Sequence, residues 1–490
     1  TPCCSRRAFL GGMAAGAASL ALSSCAAHRH AGRGANRPNI LFVVTDDQGP
    51  WAWGRGGHPN ARTPNLDRLA AGGVRFENCF ATTPVCSPAR ASILTSRYPT
   101  ELCITDLISA QRTPDLGLDP ALTTWPERLD AAGYATALFG KWHVGERDRF
   151  LPREHGYDEF KGWRHGAGIS KDPVIEADGK RKRVAGWTPD ILTDYAIEFM
   201  QRHQHEPFAL SVHFWAPHAN TDNRTPDGDR TWLPLSEADR KPFENLEPVL
   251  PDPDYPNLDV PRAERMTREY LASVHSVDRN LGRLLDTLAN LGLDENTIVV
   301  YTSDHGYNIG HHGIWHKGNG RWLLVDETGP RPNLWDNSLK VPAVMRWPGV
   351  AEPGGVVSRT VSHLDWFPTL AAAAGAGTPQ NALVRGRNLR PLLAGEADSW
   401  DNDFFAQYAM WPWSQTGADL RAWRTPEWKL VCDLKRTQPD ELYHLAEDPE
   451  EHHNLVDSEN DTVGAVRVRL EKQLRAAMEQ VNDPGLARWD

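Results

Sequence analysis

The chain has 490 residues, 40 % hydrophobic and 24 % charged, ordinary globular proportions that exclude a disordered tail protein, a collagen-like fibre and a polytopic membrane protein. A formal charge of −11 argues against phosphate-backbone binding, so no nucleic-acid partner is expected, although a locally cationic site for an anionic ligand is compatible with it. Seven Cys and nineteen Trp are the compositional oddities.

The first segment reads as an address. Ser5-Arg6-Arg7-Ala8-Phe9-Leu10 sets a paired arginine ahead of a small and apolar run, Leu10 to Leu22, too short to span a bilayer as a mature helix. Residues 1–24 therefore read as a twin-arginine export signal. Leu22-Ser23-Ser24-Cys25 resembles a bacterial lipobox, in which Cys25 would receive the lipid. The expectation is an exported periplasmic or cell-surface protein, tied to the membrane through Cys25 if processed. Residues 25–37 read as a linker.

Asn39 to Thr45 is a continuous apolar run, the pattern of a strand buried on both faces of a parallel sheet, and it ends in Asp46-Asp47. Thr63-Pro64 opens a short helix with Leu66, Leu69 and Ala70 on one face and Gly72 to stop it. Thr124 to Gly133 predicts a helix, Tyr134 to Phe139 a strand, Asp190 to about Gln204 a helix and Phe208 to Phe214 a strand. A long amphipathic helix spans Arg262 to Leu291, and Thr297 to Thr302 is a second central-strand run, ending in Ser303-Asp304-His305. Strand-like pieces at Asp403 to Tyr408, Trp428 to Leu434 and Glu441 to Leu445 precede a final helix near Val463 to Val481. The fold class is α/β: a large mixed, mostly parallel sheet sandwiched by helices over 38–395, followed by a smaller antiparallel α+β subdomain over 396–490.

In open α/β sheets ligands gather beyond the carboxyl ends of strands, where this sequence puts Asp46, Asp47 and Asp304. Carboxylates brought together repel one another unless a cation or protons neutralise them, and a hard divalent ion is the simplest remedy. Between these strands, Ser87 and Pro88 suit an N-cap and a first helical residue, which would seat Cys86 at the anion-attracting start of a helix.

Cys86-Ser87-Pro88-Ala89-Arg90 resembles the Cys-x-Pro-x-Arg modification motif of the type I sulfatases, in the alkaline phosphatase superfamily. Further motifs arrive in the family's order. Gly133 to His143 resembles its second signature, Pro217-His218 its Pro-His, Thr302-Ser303-Asp304-His305-Gly306 its metal segment, and Gly310 to Lys317 the stretch carrying its lysine. Leu442 to Leu455 closes the pattern, so the likeness runs from about Pro38 to Leu455. Ser96, Phe139 and His311 depart from the usual residues without removing a catalytic group. His305 in place of the commoner Asn is similar to iduronate-2-sulfatase-like bacterial members.

The resemblance implies a sulfuric ester hydrolase in which Cys86 is oxidised to formylglycine by a maturation enzyme, its hydrated diol being the nucleophile and a ligand of the metal. It implies that Asp46, Asp47, Asp304 and His305 hold one divalent ion, with calcium favoured, and that Arg90 holds the diol. Lys141 and Lys317 would bind sulfate oxygens, His218 would protonate the leaving oxygen, and His143 would remove a proton so that the ester collapses to aldehyde and free sulfate. A sulfated small molecule or glycan is the implied substrate. Aromatic faces suit sugar rings, and Trp51, Trp53, Trp142, Trp215 and Trp315 lie beside motif residues, but core packing explains a Trp equally well. Gly318 to Asn337 and residues 219–260 are expected as rim loops. Three rivals share parts of this pattern. They are a phosphodiesterase or phosphonate monoester hydrolase of the same superfamily, a non-catalytic sulfated-glycan-binding lipoprotein, and a bi-zinc phosphatase, which would want Ser or Thr in place of Cys86.

Overall fold

The computed structural model describes residues 37–489 except 178, 380–381 and 411–416. The readings of residues 1–24 as a signal, of Cys25 as an anchor and of nearly all of the 25–37 linker lie outside the described residues. Among the described residues, no helix is long and apolar enough to cross a membrane.

In chain order the main-sheet strands are β1 (Asn39–Thr45), β2 (Val74–Phe80), β3 (Ala135–Lys141), β4 (Glu159–Trp163), β5 (Val174–Ala177), β6 (Lys180–Arg183), β7 (Phe208–His213) and β8 (Thr297–Ser303). Short strands β9 (Asn308–Ile309), β10 (Ile314–His316), β11 (Asn319–Trp322) and β12 (Pro330–Pro332) form a separate four-stranded sheet. β13 (Ala343–Arg346) and β14 (Gly355–Ser362) return to the main sheet. β15 (Phe404–Ala409), β16 (Asp419–Arg424), β17 (Trp428–Asp433) and β18 (Glu441–His444) make the C-terminal antiparallel sheet.

The main sheet has ten strands in the order β14-β2-β13-β8-β1-β7-β3-β4-β5-β6. β8, β1, β7, β3 and β4 run parallel, so their carboxyl ends share one edge. Every residue of β1 and β8 is buried, as apolar runs covered on both faces require. One face packs against α1 (Pro64–Ala71), the helix Thr188–Arg202 and the 31-residue helix Val260–Asn290; the other carries the cluster of Trp125, Trp366, Phe367 and Leu370.

The predicted elements stand within about two residues of their observed bounds, with informative differences. β3 runs on to Lys141 because Gly140, at φ 118°, continues the strand where a Cβ would sit 1.9 Å from the His213 carbonyl oxygen. Gly318 to Asn337 is not a simple loop: it holds β11 and β12, paired in the small sheet. Asp419 to Arg424, which the sequence pattern misses, is a central strand of the C-terminal sheet, and helix Asp461–Gln480 packs on that sheet through Leu470, Leu474 and Met478.

Candidate active site

Four neighbouring parallel strands deliver polar residues to one edge. Asp46 and Asp47 follow β1, Asp304 and His305 follow β8, Lys141 ends β3 with His143 two residues on, and His213 ends β7 ahead of His218. A buried helix, α2 (Cys86–Thr95), points its N-terminus into this group. Cys86 is itself the first helical residue and Val85 the cap, so Ser87 does not cap the helix as its residue type predicts. The Ser87 hydroxyl instead accepts the Ile108 backbone N–H at 2.9 Å, tying the loop above the pocket to α2. Lys317 enters from the small sheet, just after β10.

These side chains meet around Cys86. Its Sγ lies 3.4 Å from Asp46 Oδ1, 3.4 Å from His305 Nε2 and 3.1 Å from Lys317 Nζ. Lys141 pairs with Asp46, and Lys317 with Asp47. Arg90 reaches back one turn: Nε donates to Asp304 Oδ2 at 2.9 Å, Nη1 to the Lys141 carbonyl at 3.1 Å, and Nη2 stands 3.8 Å from Asp46. Asp47 donates its backbone N–H to Asp304 Oδ1 at 3.3 Å. Three carboxylates thus face three fixed cations, and the centre is far less acidic than the −11 of the whole chain.

Burial alone would raise the Asp46 and Asp47 carboxyls. Lys141, His218, Arg90 and Lys317 outweigh it at Asp46, as do Lys317 and His218 at Asp47, so both stay ionised. Burial, with Asp46 adding to it, pushes the Cys86 thiol up to about 12, which leaves it neutral and poorly nucleophilic. Burial and then Lys141 hold His143 well below the ordinary imidazole range. Its Nε2 lies 3.0 Å from the Ile108 carbonyl, which can only accept, so Nδ1, buried without a partner, carries the lone pair. His218 Nδ1 likewise donates to the Ala219 carbonyl at 2.7 Å, turning Nε2 toward Asp47 Oδ2 at 3.7 Å. Non-glycine residues with left-handed backbone cluster here: Asp47 at φ 69°, His143 at φ 59° and His316 at φ 88°.

The donor set fits a divalent cation. One atom each from Asp46, Asp47, Cys86 and His305 lies within 4.8 Å of the others. Asp47 Oδ2 is buried with no hydrogen-bond partner, and His305, donating Nδ1–H to the Gly306 carbonyl at 2.9 Å, turns the lone pair of Nε2 inward. Asp304 stands beside this quartet, its Oδ1 3.3 Å from His305 Nε2 while Arg90 engages its other oxygen.

The pocket opens into a cleft of about 1240 Å³ lined by Cys86, Lys141, His143, His218 and Lys317, with Arg112, His165, Arg230, Trp315, His316 and Arg321 further out. All the sequence-predicted site residues therefore converge, Arg90 and the acids from beneath. Thr221 and Arg230 supply the rim expected from residues 219–260. Among the five Trp beside motif residues, Trp53, Trp142 and Trp215 are buried packing groups and Trp51 is partly buried against the cluster that holds Trp315; Trp315 is buried there too, but one side of it lines the cleft. His213, which donates Nδ1–H to the Lys141 carbonyl at 3.1 Å, was not singled out from sequence, although its place at the end of a central strand is the signal that finds Asp46.

The family profile described as Sulfatase matches residues 38–376, and the profile described as N-sulphoglucosamine sulphohydrolase, C-terminal, matches residues 331–480. The N-acetylglucosamine-6-O-sulfatase of Bacteroides thetaiotaomicron is 28 % identical over 95 % of this chain and 91 % of its own. Arylsulfatase A of Homo sapiens is 30 % identical over 86 % of this chain and 84 % of its own. A solved structure described as a complex with its substrate D-glucosamine-2-N,6-O-disulfate has a TM-score of 0.77 at 26 % identity, covering 92 % of this chain and 99 % of that one.

Proposed function

The chain belongs to the sulfatase family and is a sulfuric ester hydrolase, and from that premise we propose that it releases inorganic sulfate from a sulfated saccharide in the pocket around Cys86. The observation that carries this reading is the convergence of Lys317 Nζ, His305 Nε2 and Asp46 Oδ1 within 3.4 Å of Cys86 Sγ, on the wall of a cleft large enough for a sugar. The neutral thiol is a poor nucleophile; conversion of Cys86 to formylglycine by a maturation enzyme would supply a hydroxyl nucleophile there. A divalent ion, calcium by the hardness of three of the four donor residues once Cys86 bears oxygen, would be held by Asp46, Asp47, His305 and residue 86, with Asp304 beside them, and would neutralise charge on a sulfate oxygen.

The chain's own groups account for the rest. Lys141 and Lys317 set ammonium charges beside Asp46 and Asp47, where they can also hold anionic oxygens as charge develops. Arg90 clamps Asp304 against the Lys141 carbonyl and so fixes both strand ends beneath the nucleophile. His218 presents Nε2 at the open side of the pocket, placed to protonate a leaving sugar oxygen. His143, neutral and with Nδ1 free of partners, is placed to take a proton from residue 86 in the second half of the reaction. Arg6-Arg7 and Cys25 support export and lipid anchoring in the same reading. Loss of export from a reporter carrying residues 1–35 on Arg6→Lys plus Arg7→Lys substitution is the matching result.

The deciding experiment is peptide mass spectrometry across residue 86 after co-expression with a maturation enzyme, together with sulfate release from monosulfated sugars. An aldehyde at residue 86 and turnover that Cys86→Ala abolishes are expected; an unmodified thiol in fully active protein would overturn the proposed chemistry.

A further inference from the structure

Beyond the pocket around Cys86, the cleft carries cations that the hydrolysis does not use. Arg230 lines it, half-buried, at the end of a short β-bridge with Arg224. Two nearby acids, Asp229 and Glu269, are already engaged. Asp229 receives Arg262 Nε at 2.8 Å, Arg262 Nη2 at 2.9 Å and a bond from Arg265; Glu269 receives Thr231 Oγ1 at 2.7 Å, the Trp232 N–H at 3.0 Å and Arg265 Nη1 at 3.2 Å. Among the described residues, the Arg230 side chain keeps one long 3.4 Å bond, to the Asn220 carbonyl, which Arg224 shares at 3.2 Å. Burial and the neighbouring Arg224 lower its pKa and outweigh the opposing pull of Tyr307, Asp229 and Asp47. Arg321 faces the same space from β11, opposite Trp315 in the strand register, and among the described residues no carboxylate pairs with it or with Arg230. Trp315 is shared ground: it lines the cleft beside both arginines.

A half-buried, forked cation without a counterion is costly to keep and matches a planar or tetrahedral oxyanion. We propose that Arg230 and Arg321 form a second anion subsite, so that the preferred saccharide carries, besides the ester that is cleaved, another anionic group reaching over Trp315. This rests on the saccharide reading above and deepens it: singly charged sulfate esters would be turned over but poorly held. The shared chemistry is a second oxyanion, whether sulfo group or carboxylate.

The test compares N-acetylglucosamine 6-sulfate, glucosamine 2-N,6-O-disulfate and a 2-O-sulfated uronic acid with matured wild-type enzyme and with Arg230→Ala, Arg321→Ala and the double variant. Wild-type kcat/KM should favour at least one doubly anionic sugar over the singly charged one, and the double variant should lower that preference tenfold or more, chiefly through KM. The arm that responds identifies sulfo group or carboxylate. Equilibrium binding of the same sugars to the Cys86→Ser protein reads the preference without turnover. A preference there with no turnover by matured enzyme would sink the hydrolytic reading and leave the subsite standing. A preference unchanged in the double variant, with its melting curve intact, would overturn the subsite, as would wild-type protein that shows none. Arg321→Ala, at an exposed position, keeps the test open if Arg230→Ala folds poorly.

Discussion

His218 shows how far single residues determine the chemistry. Its Nδ1–H is committed to the Ala219 carbonyl, so Nε2 can donate only from the imidazolium, and burial draws the imidazolium pKa below the ordinary 6.5. A general acid with a lowered pKa loses its donor form as pH rises. If His218 is the acid, turnover of sugar sulfates, whose leaving oxygen needs a proton, should therefore already be falling below pH 6.5, while aryl sulfates decline less. His218→Ala should cut kcat on a sugar sulfate by ~100-fold or more and on 4-nitrophenyl sulfate by much less; equal losses on both would remove His218 from that role. The predicted site residues were legible because each sits in a short motif at a strand end or helix start. Arg230 and Arg321 were not, because their significance is the lack of a counterion, and that depends on Asp229 turning to Arg262 and Arg265 in space.

Among the elements, α2 is the most constrained, buried along its whole length and ended by Ser96 in the left-handed region at φ 56°. That conformation explains why glycine is usual there and what serine does instead. Ser96 Oγ donates to the Leu364 carbonyl at 2.7 Å and accepts the Gly386 N–H at 2.8 Å, offsetting the strain of a Cβ at positive φ. Ser96→Ala keeps the strain and strands both partners, and should lower unfolding free energy by ~2 kcal/mol or more. Ser96→Gly loses the same bonds but relieves the strain, so its loss in urea denaturation should be about 1 kcal/mol smaller. The long helices and central strands were readable from hydrophobic period. β5, β6 and β9 to β12 were not: they have at most four residues each, alternate weakly, and exist only as members of short hairpins paired with their neighbours in the chain.

In the whole molecule, the boundary expected near residue 395 falls between two sheets that share one buried cluster. Phe80, Val85, Leu334 and Leu339 of the large unit share one buried cluster with Phe404, Tyr408 and Leu420, and Gln407 donates its backbone N–H to the Thr82 carbonyl at 2.9 Å, four residues before Cys86. A fragment of residues 38–395 should consequently be insoluble or molten; a cooperative melt from it would show the C-terminal unit to be an accessory. The same seam carries a pH dependence. Asp336 meets Lys429 at 2.8 Å and Arg424 at 2.9 Å, while Glu451 meets Lys429 at 2.7 Å. Burial, with Asp336 nearby, pushes Glu451 up to about 7 from 4.5, so the folded state holds a proton that the unfolded chain releases. That contribution is complete below pH 4.5 and lost as pH rises through about 7; the melting temperature of Glu451→Gln relative to wild type should climb between pH 5 and 8. The burial of α2 also bears on timing. Cys86 is 4 % exposed, and Pro88 and Arg90 behind it are buried, Arg90 tied to Asp304 and the Lys141 carbonyl, so the finished structure offers a modifying enzyme little to grip. On the proposed conversion of Cys86, folding would then be a deadline: the share of competent molecules would be settled by a race between oxidation and collapse, and a chain that folded first would stay inert until something unfolded it.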